Sequence, residues 1–416
     1  MVVYPNYLAR IYPFHPLRYT AKAGPLASVV TQPYDKISPA MRSRYLALSP
    51  YNLVRIILGE RTAEDSDSNN VYTRAAGHLS DWTASGVLAR DSDPGIFPYF
   101  QEFTVPDTGE RLVRKGFIAL GAMEEYAAGI VHRHEQTLSG PKKDRMELLR
   151  HTHAHFGQLF MLYPDKAGAI DAHLDEAAAG APLAEVTDEY SAVHRIWKIA
   201  GAGMIQELMA DKRLLIADGH HRYETALAVR NENPGLPGAD RVMMTFVNMY
   251  SPGLRILATH RLVNGLDPNG FPDAFLDAAA EDFTVNEIAF PAELQSAWEK
   301  AGDRTIIGAA IGARLFRLEY SSHGELDVRV LHEKLLAKAL GIGEQAVRDE
   351  KHLRYIRGLD AAVEEARSGA AQIAFLLKPT SIDQVAETSF GGGVMPQKST
   401  DFYPKLLSGL TIYKLE

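Results

Sequence analysis

The sequence predicts an α+β fold followed by a C-terminal α/β-type part, on three observations. Short apolar runs bounded by glycine and proline read as strands. Two of them, Ile96–Val105 and Arg111–Leu120, are joined by Pro106-Asp107-Thr108-Gly109 and read as a hairpin. Beyond Leu266, Pro268, Gly270 and Pro272 mark a boundary, after which helical and strand patterns alternate. Two domains are therefore expected, 1–265 and 266–416.

The elements follow in order. Ile11-Tyr12-Pro13-Phe14 carries a proline and suits a bent or edge strand. Val29–Lys36 reads as a strand leaving its sheet through Pro33-Tyr34-Asp35. Ser38 and Pro39 suit the cap and first position of a helix that ends before Pro50. Leu53–Leu58 reads as a strand broken by Gly59, and Ser66–Thr83 as a helix stopped by Gly86. After the hairpin come a helix at Lys142–His151, a strand at Gly157–Tyr163, a small-residue helix at Ala167–Ala179 and a strand at Val193–Ile199. Arg213–Ile216 is a short strand, Tyr223–Arg230 a helix, and Val242–Met249 and Ile256–Val263 are strands. In the C-terminal part, helix and strand are expected to alternate over Pro272–Ala280, Pro291–Lys300, Thr305–Ile311, Leu315–Tyr320, Val330–Ala339, Ala361–Arg367 and Ile373–Leu377.

A chain of 416 residues is long enough for two or three domains. The formal net charge of −8 argues against a general nucleic-acid or membrane-surface binder, which needs a basic face. With no cysteine, disulfides, thiolate nucleophiles and iron–sulfur clusters are excluded. No apolar run approaches bilayer length and the N-terminus lacks signal-peptide character, so a cytoplasmic protein is expected.

The densest chemistry lies at Asp218-Gly219-His220-His221-Arg222, between the strand Arg213–Ile216 and the helix from Tyr223. A helix N-terminus offers unpaired N–H groups and a positive dipole end, which attract an anion. Arg222 adds a planar guanidinium suited to phosphate or carboxylate. His220 and His221 can move protons or bind metal. A glycine and an aspartate are ordinary turn punctuation, but a turn needs neither two histidines nor the arginine that follows.

Other segments add candidates. His134-Glu135-Gln136-Thr137, with Lys143 and Arg145 after it, joins an imidazole, a carboxylate and cations ahead of a helix; alone it also suits a solvated charged loop. His151 and His155 have the i, i+4 spacing of helical metal ligands, a weak signal without further donors. Three glycines precede Met395-Pro396-Gln397-Lys398-Ser399-Thr400, and the segment suits an ordered loop covering a site. It is no Walker A loop, since no glycine directly precedes Lys398. Asp35 at a strand end could serve as a base, and His260-Arg261 could support a site or be strand surface.

Together, Pro33-Tyr34-Asp35, His134–Thr137 with Lys143-Asp144-Arg145, Ile216–Tyr223, Thr259-His260-Arg261 and Met395–Thr400 resemble the family called domain of unknown function 1015. More distantly, Asp218–Arg222 resembles the Asp-Gly-His-His-Arg motif of ParB/sulfiredoxin-like proteins, which include free serine kinases. That resemblance implies a ParB-like core within 1–265, with residues of about 60–190 as a large insertion. It implies phosphate contacts from Asp218, Gly219 and Arg222, proton chemistry at His220 and His221, and an acidic base, Asp35 by position or Glu135 by motif. His134, Thr137, Lys143, Arg145, Lys398, Ser399 and Thr400 are the further candidates for phosphate or substrate, with the 391–405 loop returning to the site.

The function expected is phosphoryl transfer between a nucleotide and a small hydroxylated metabolite, with free serine or phosphoserine the first choice. Mg²⁺ and ATP or ADP are then the expected cofactors, although no metal ligand is assigned. The alternatives are a phosphatase on phosphoserine-like esters and a nucleotide-binding regulatory protein that turns nothing over. Neither nucleic acid nor membrane is an expected partner.

Overall fold

A computed structural model describes residues 9–135, 140–269, 271–322 and 324–416. The chain forms two compact units: Met1–Val105, Glu110–Arg255 and Pro404–Glu416 make the first, Pro106–Gly109 and Ile256–Tyr403 the second.

The first unit is built on a nine-stranded mixed sheet. In chain order its strands are β1 (Ile11–Tyr12), β2 (Phe97–Thr104), β3 (Arg111–Ala122), β4 (Val131–Arg133), β5 (Leu159–Tyr163), β6 (Ala184–Thr187), β7 (Val193–Ile196), β8 (Leu214–Asp218) and β9 (Arg241–Asn248). They lie in the order β4-β8-β5-β9-β3-β2-β7-β6, with β1 on β3. β4 runs parallel to β8 and β5 parallel to β9; the other pairings are antiparallel. The N-terminal strand β1 thus shares a sheet with Leu214–Asp218. The hairpin β2–β3 is not appended to this sheet but forms part of its middle, so residues of about 60–190 do not read as a separable insertion. Its register is fixed by burial: Phe117, Met161 and Phe246 are fully buried, and the rings of Phe117 and Phe246 stack at 5.0 Å.

Helix α1 (Pro39–Leu48) starts as predicted, with Ser38 capping the Met41 amide. Leu53–Leu58 is not a strand: Val54–Ile57 is one turn of helix, α2, and the Asn52 side chain accepts from the Val54 amide. That local bond outweighs the β-branched propensity of the run. Helix α3 (Val71–Ala84) starts later than Ser66, because Asn70 and Thr73 form a reciprocal capping box. Val29–Lys36 is not a strand either. Thr31 makes an isolated bridge to Ser408, and Tyr34–Lys36 is a single 3₁₀ turn. Pro33 offers no N–H for a ladder, and the pairing partner lies in the distant C-terminal segment. That segment, 404–416, also pairs Tyr413 with His155. The remaining helices are α4 (Gly140–Thr152), α5 (Ala169–Ala177), α6 (Gly203–Met209) and α7 (His220–Glu232).

The second unit holds a six-stranded sheet of β10 (His260–Val263), β11 (Thr284–Ile288), β12 (Thr305–Ile311), β13 (Arg314–Tyr320), β14 (Leu353–Ile356) and β15 (Ile373–Leu376). Every pairing in it is antiparallel, so this unit is α+β rather than the predicted α/β type. Alternation of helix and strand suggested crossovers, but β12 and β13 form a direct hairpin and β10 sits between β14 and β15. No helix among the described residues is long and apolar enough to cross a membrane.

Candidate active site

The site is built where β8 ends. The register between β8 and β5 shifts between Ile216 and Asp218, a bulge of the kind that re-aims a side chain. Gly219 follows with φ of 100°, and α7 begins at His220 with no side chain capping it. No side chain caps the first-turn amides of α7, which follow directly on Asp218 and Gly219. Buried Tyr223, Ala226, Leu227 and Val229 hold the helix on the sheet, so the turn is a rigid mount.

Asp218 is the electrostatic centre. Its Oδ2 lies 2.7 Å from Arg222 Nη2 and its Oδ1 3.6 Å from Lys405 Nζ. Burial works to raise its pKa, but Lys405, Arg222, Lys36 and His220 together hold it well below the ordinary value. Arg222 also donates through Nη1 to the Gln158 carbonyl at 2.6 Å. The guanidinium is thus oriented by two acceptors, with its side chain 18% exposed.

The parallel pairing of β4 with β8 brings the second motif to the first. The rings of His134 and His220 meet edge-on at 4.7 Å, and the His134 amide donates to His220 Nε2 at 3.4 Å. His134 Nδ1 donates to the Ile216 carbonyl at 2.7 Å, which leaves Nε2 as the acceptor of that ring. Glu135 Oε2 stands 3.9 Å from that Nε2. Burial pushes His134 down to about 4, and burial with the neighbouring His134 pushes His220 well below its ordinary value. Both rings are neutral at neutral pH. His221 is half-buried, pushed down by burial while Glu224 pulls the other way, and its Nδ1 is buried with no hydrogen-bond partner among the described residues.

A third segment closes the group. Tyr34 lies under the Arg145 guanidinium at 4.1 Å, and its hydroxyl feels the charges of Arg222, Asp35, Arg145 and Asp218. Asp35 is exposed, 3.8 Å from Lys36, and its charge also reaches His221. A pocket of about 60 Å³ lies here, lined by Tyr34, Arg145, Gly157, Arg222, Thr225 and Ser408 among apolar side chains.

Of the residues expected from sequence, Asp218, Gly219, His220, His221, Arg222, His134 and Glu135 come together, with Asp35 and Arg145 beside them. Arg145 is turned to Asp144 and the Ile57 carbonyl as well as to Tyr34. Lys143 is exposed on α4, whereas its neighbour Lys142 forms the ion pair with Glu224. Thr137 lies outside the described residues. Lys398, Ser399 and Thr400 belong to the second unit. There the Lys398 carbonyl accepts from Arg261 at 2.9 Å, and the Ser399 carbonyl from Thr380 at 2.8 Å.

The helical metal pair is not formed. α4 ends at Thr152, so His151 stacks on Tyr72 while His155 lies in a short strand and stacks on Tyr413. Among the described residues no three His, Asp or Glu side chains are grouped to hold a metal. Sequence reasoning missed Tyr34, Lys36, Lys405 and Gln158. Gln158 is only 1% exposed, and neither of its side-chain polar atoms has a hydrogen-bond partner among the described residues. Two signals were available: Tyr34 and Lys36 flank Asp35, and Lys405 ends the 391–405 loop expected to return to the site.

The neutral histidines make stability pH-dependent. His134 and His155 are each pushed down to about 4, chiefly by burial, from 6.5. A depressed histidine contributes stability that is full above the unfolded value and is lost as pH falls from about 6.5 towards 4. The unfolding free energy of the first unit, read from urea titration, is expected to fall over that window by on the order of 3 kcal/mol for each of the two histidines. His155→Asn should flatten the slope by about one proton. A midpoint constant from pH 7 to 4.5 contradicts neutral burial.

Fold and site together define an α+β protein with a polar cluster mounted on a strand-to-helix turn. The chain belongs to the family DUF1015, described as a protein of unknown function, whose model matches residues 11–348. No curated protein matches it. Similar solved structures include a free serine kinase in complex with AMP, at 14% identity and TM-score 0.38, covering 69% of this chain and 88% of that one. A conserved hypothetical protein from Pyrococcus furiosus has 16% identity and TM-score 0.36, with 68% and 92% covered. SbnI with a C-terminal truncation, from Staphylococcus aureus, has 11% identity and TM-score 0.36, with 70% and 87% covered.

Proposed function

We propose that the protein is a phosphotransferase moving a phosphoryl group between a nucleotide, ATP or ADP, and a small hydroxylated metabolite, with free serine or phosphoserine the first choice. The observation that carries this reading is the convergence at one helix start of open amides, Arg222, Lys405 and Lys36 with the carboxylates Glu135 and Asp35. Phosphoryl transfer needs little else, because catalysis is chiefly positioning and charge neutralisation. The α7 amides and the cations hold the phosphates, and His221 Nδ1, which has no hydrogen-bond partner among the described residues, is a further polar group for a ligand to meet. Glu135 or Asp35 takes the acceptor's hydroxyl proton as its oxygen forms the new P–O bond and the bond to the leaving phosphate breaks. Mg²⁺ would enter with the nucleotide, held chiefly by its phosphate oxygens.

The test is purified protein with Mg²⁺ and ATP or ADP against amino acids and hydroxy acids, with the reverse reaction from phosphoserine. Nucleotide should be consumed only when an acceptor is present. The residue acting as base is identified by Asp35→Asn and Glu135→Gln, one of which should lower kcat by about 10²–10⁴-fold. Phosphate release from phosphoserine without nucleotide points to a phosphatase instead. Binding without consumption across the whole panel points to a regulatory protein.

A further inference from the structure

The first unit holds a buried polar row that the proposed chemistry does not use. Arg114 on β3, Gln101 on β2 and His194 on β7 are direct cross-strand partners, Arg114 opposite Gln101 and Gln101 opposite His194. Tyr99 stands two residues before Gln101, on the same face of β2. Their exposures are 1%, 2%, 0% and 1% in the order Arg114, Gln101, His194, Tyr99. Burying so much polarity is costly unless each group is satisfied, so the row needs a reason.

The bonds supply one. Gln101 Oε1 accepts from Arg114 Nε at 2.9 Å, and Gln101 Nε2 donates to the Lys405 carbonyl at 2.9 Å. Arg114 Nη2 donates to the Pro404 carbonyl at 2.6 Å. The Leu407 amide donates to the Tyr99 hydroxyl at 3.3 Å, and that hydroxyl donates onward to His194 Nδ1 at 2.7 Å. His194 Nε2 faces Asp188 Oδ2 at 3.2 Å, which fixes the proton on Nε2 and leaves Nδ1 as acceptor. Asp188 is itself held by the amides of Tyr190 and Ala192 and by Gln32. Three backbone groups of the strap 404–407 are therefore gripped by three buried side chains, and Lys405 is the strap residue that reaches Asp218.

We infer that Tyr99, Gln101 and Arg114, backed by His194 and Asp188, are positioning residues that set Lys405 against Asp218 and so complete the anion site. The inference rests on the phosphate-binding reading of that site, but the clamp itself can be judged separately. A loose strap leaves Lys405 on flexible backbone, and a lysine ammonium confers little specificity unless its stem is held.

The test uses the full chain with Gln101→Leu, Tyr99→Phe, Lys405→Ala and the double variant of Gln101 and Lys405. Amide exchange at 405–407 should quicken at least tenfold in Tyr99→Phe and Gln101→Leu, with β9 amides unchanged. MgADP affinity by calorimetry should fall about tenfold in Gln101→Leu and in Lys405→Ala. The double variant should be no weaker than Lys405→Ala, because both remove the same interaction. Effects that multiply, or unchanged strap exchange, overturn the inference. If Gln101→Leu fails to fold, Tyr99→Phe retains the ring and removes only the hydroxyl's bonds. If the wild type binds no MgADP, the proposed function fails, while the exchange result still decides whether the row clamps the strap.

Discussion

Arg222→Ala is expected to weaken binding of MgADP or phosphoserine by roughly ten- to a hundred-fold, the cost of losing a charged hydrogen-bond partner worth about 1.5–3 kcal/mol. The geometry sharpens this expectation. The guanidinium lies between the Asp218 carboxylate and the Gln158 carbonyl, at 2.7 and 2.6 Å. Its loss removes a cation from the site and also leaves Asp218 with less compensation for its burial. A drop in stability should therefore accompany the drop in affinity. Arg222→Lys should restore only part of either, because a point charge cannot serve two acceptors in the fixed fork geometry. Calorimetry and urea unfolding on the same preparations separate the roles. Lower stability with unchanged MgADP and phosphoserine affinity makes Arg222 a tie between the turn and β5, with no part in holding phosphate.

Much of the site was legible because its residues sit close together in sequence. Asp218 to Arg222 needed only the strand-turn-helix reading, and the pattern of apolar runs supplied that. Its meeting with His134 and Glu135 was suggested by chemistry, but the parallel pairing of β4 with β8 is tertiary information that no local pattern carries. Lys405 was legible only as the end of the 391–405 loop expected at the site, not as the partner of Asp218. It stands in a stretch with no periodic signal, and its position follows from buried bonds to Tyr99, Gln101 and Arg114 on distant strands. The errors at Leu53–Leu58 and Val29–Lys36 have one cause. Apolar, β-branched runs were read as strands, and side-chain capping by Asn52 and the missing amide of Pro33 decided otherwise. In the second unit the pattern gave an alternation of helix and strand but not the direction of the strands, and it passed over the strands Thr284–Ile288 and Leu353–Ile356 and the helix Ile382–Phe390. Helix and strand alternate in both parallel and antiparallel designs, and the hairpin of β12 with β13 is closed by a turn at Gly312 that the pattern did not weigh.

Gly219→Ala should damage fold and site together. With φ of 100°, the position lies where a Cβ is strained, costing about 1–2 kcal/mol for an L-residue. The added carbon would stand 2.8 Å from Leu159 Cδ2 and 3.0 Å from Arg222 Nη2. Leu159 is 1% exposed and packed in the core, so it cannot yield cheaply, and crowding of that kind typically costs about 1–3 kcal/mol. The guanidinium can move, but only by leaving its bond to Asp218. Urea unfolding should therefore show a loss of about 2–5 kcal/mol, and MgADP affinity should fall in the direction of Arg222→Ala. Gly77→Ala is the control. Gly77 lies inside α3, has no positive φ, and nothing stands within 4 Å of an added Cβ. There alanine should stabilise by about 0.5–1 kcal/mol, through the smaller entropy loss of a helical alanine, and leave binding untouched. Equal and small effects at the two glycines would mean that the turn before α7 adapts freely. An adaptable turn cannot hold the first-turn amides, Asp218 and Arg222 in the fixed arrangement on which an anion site depends.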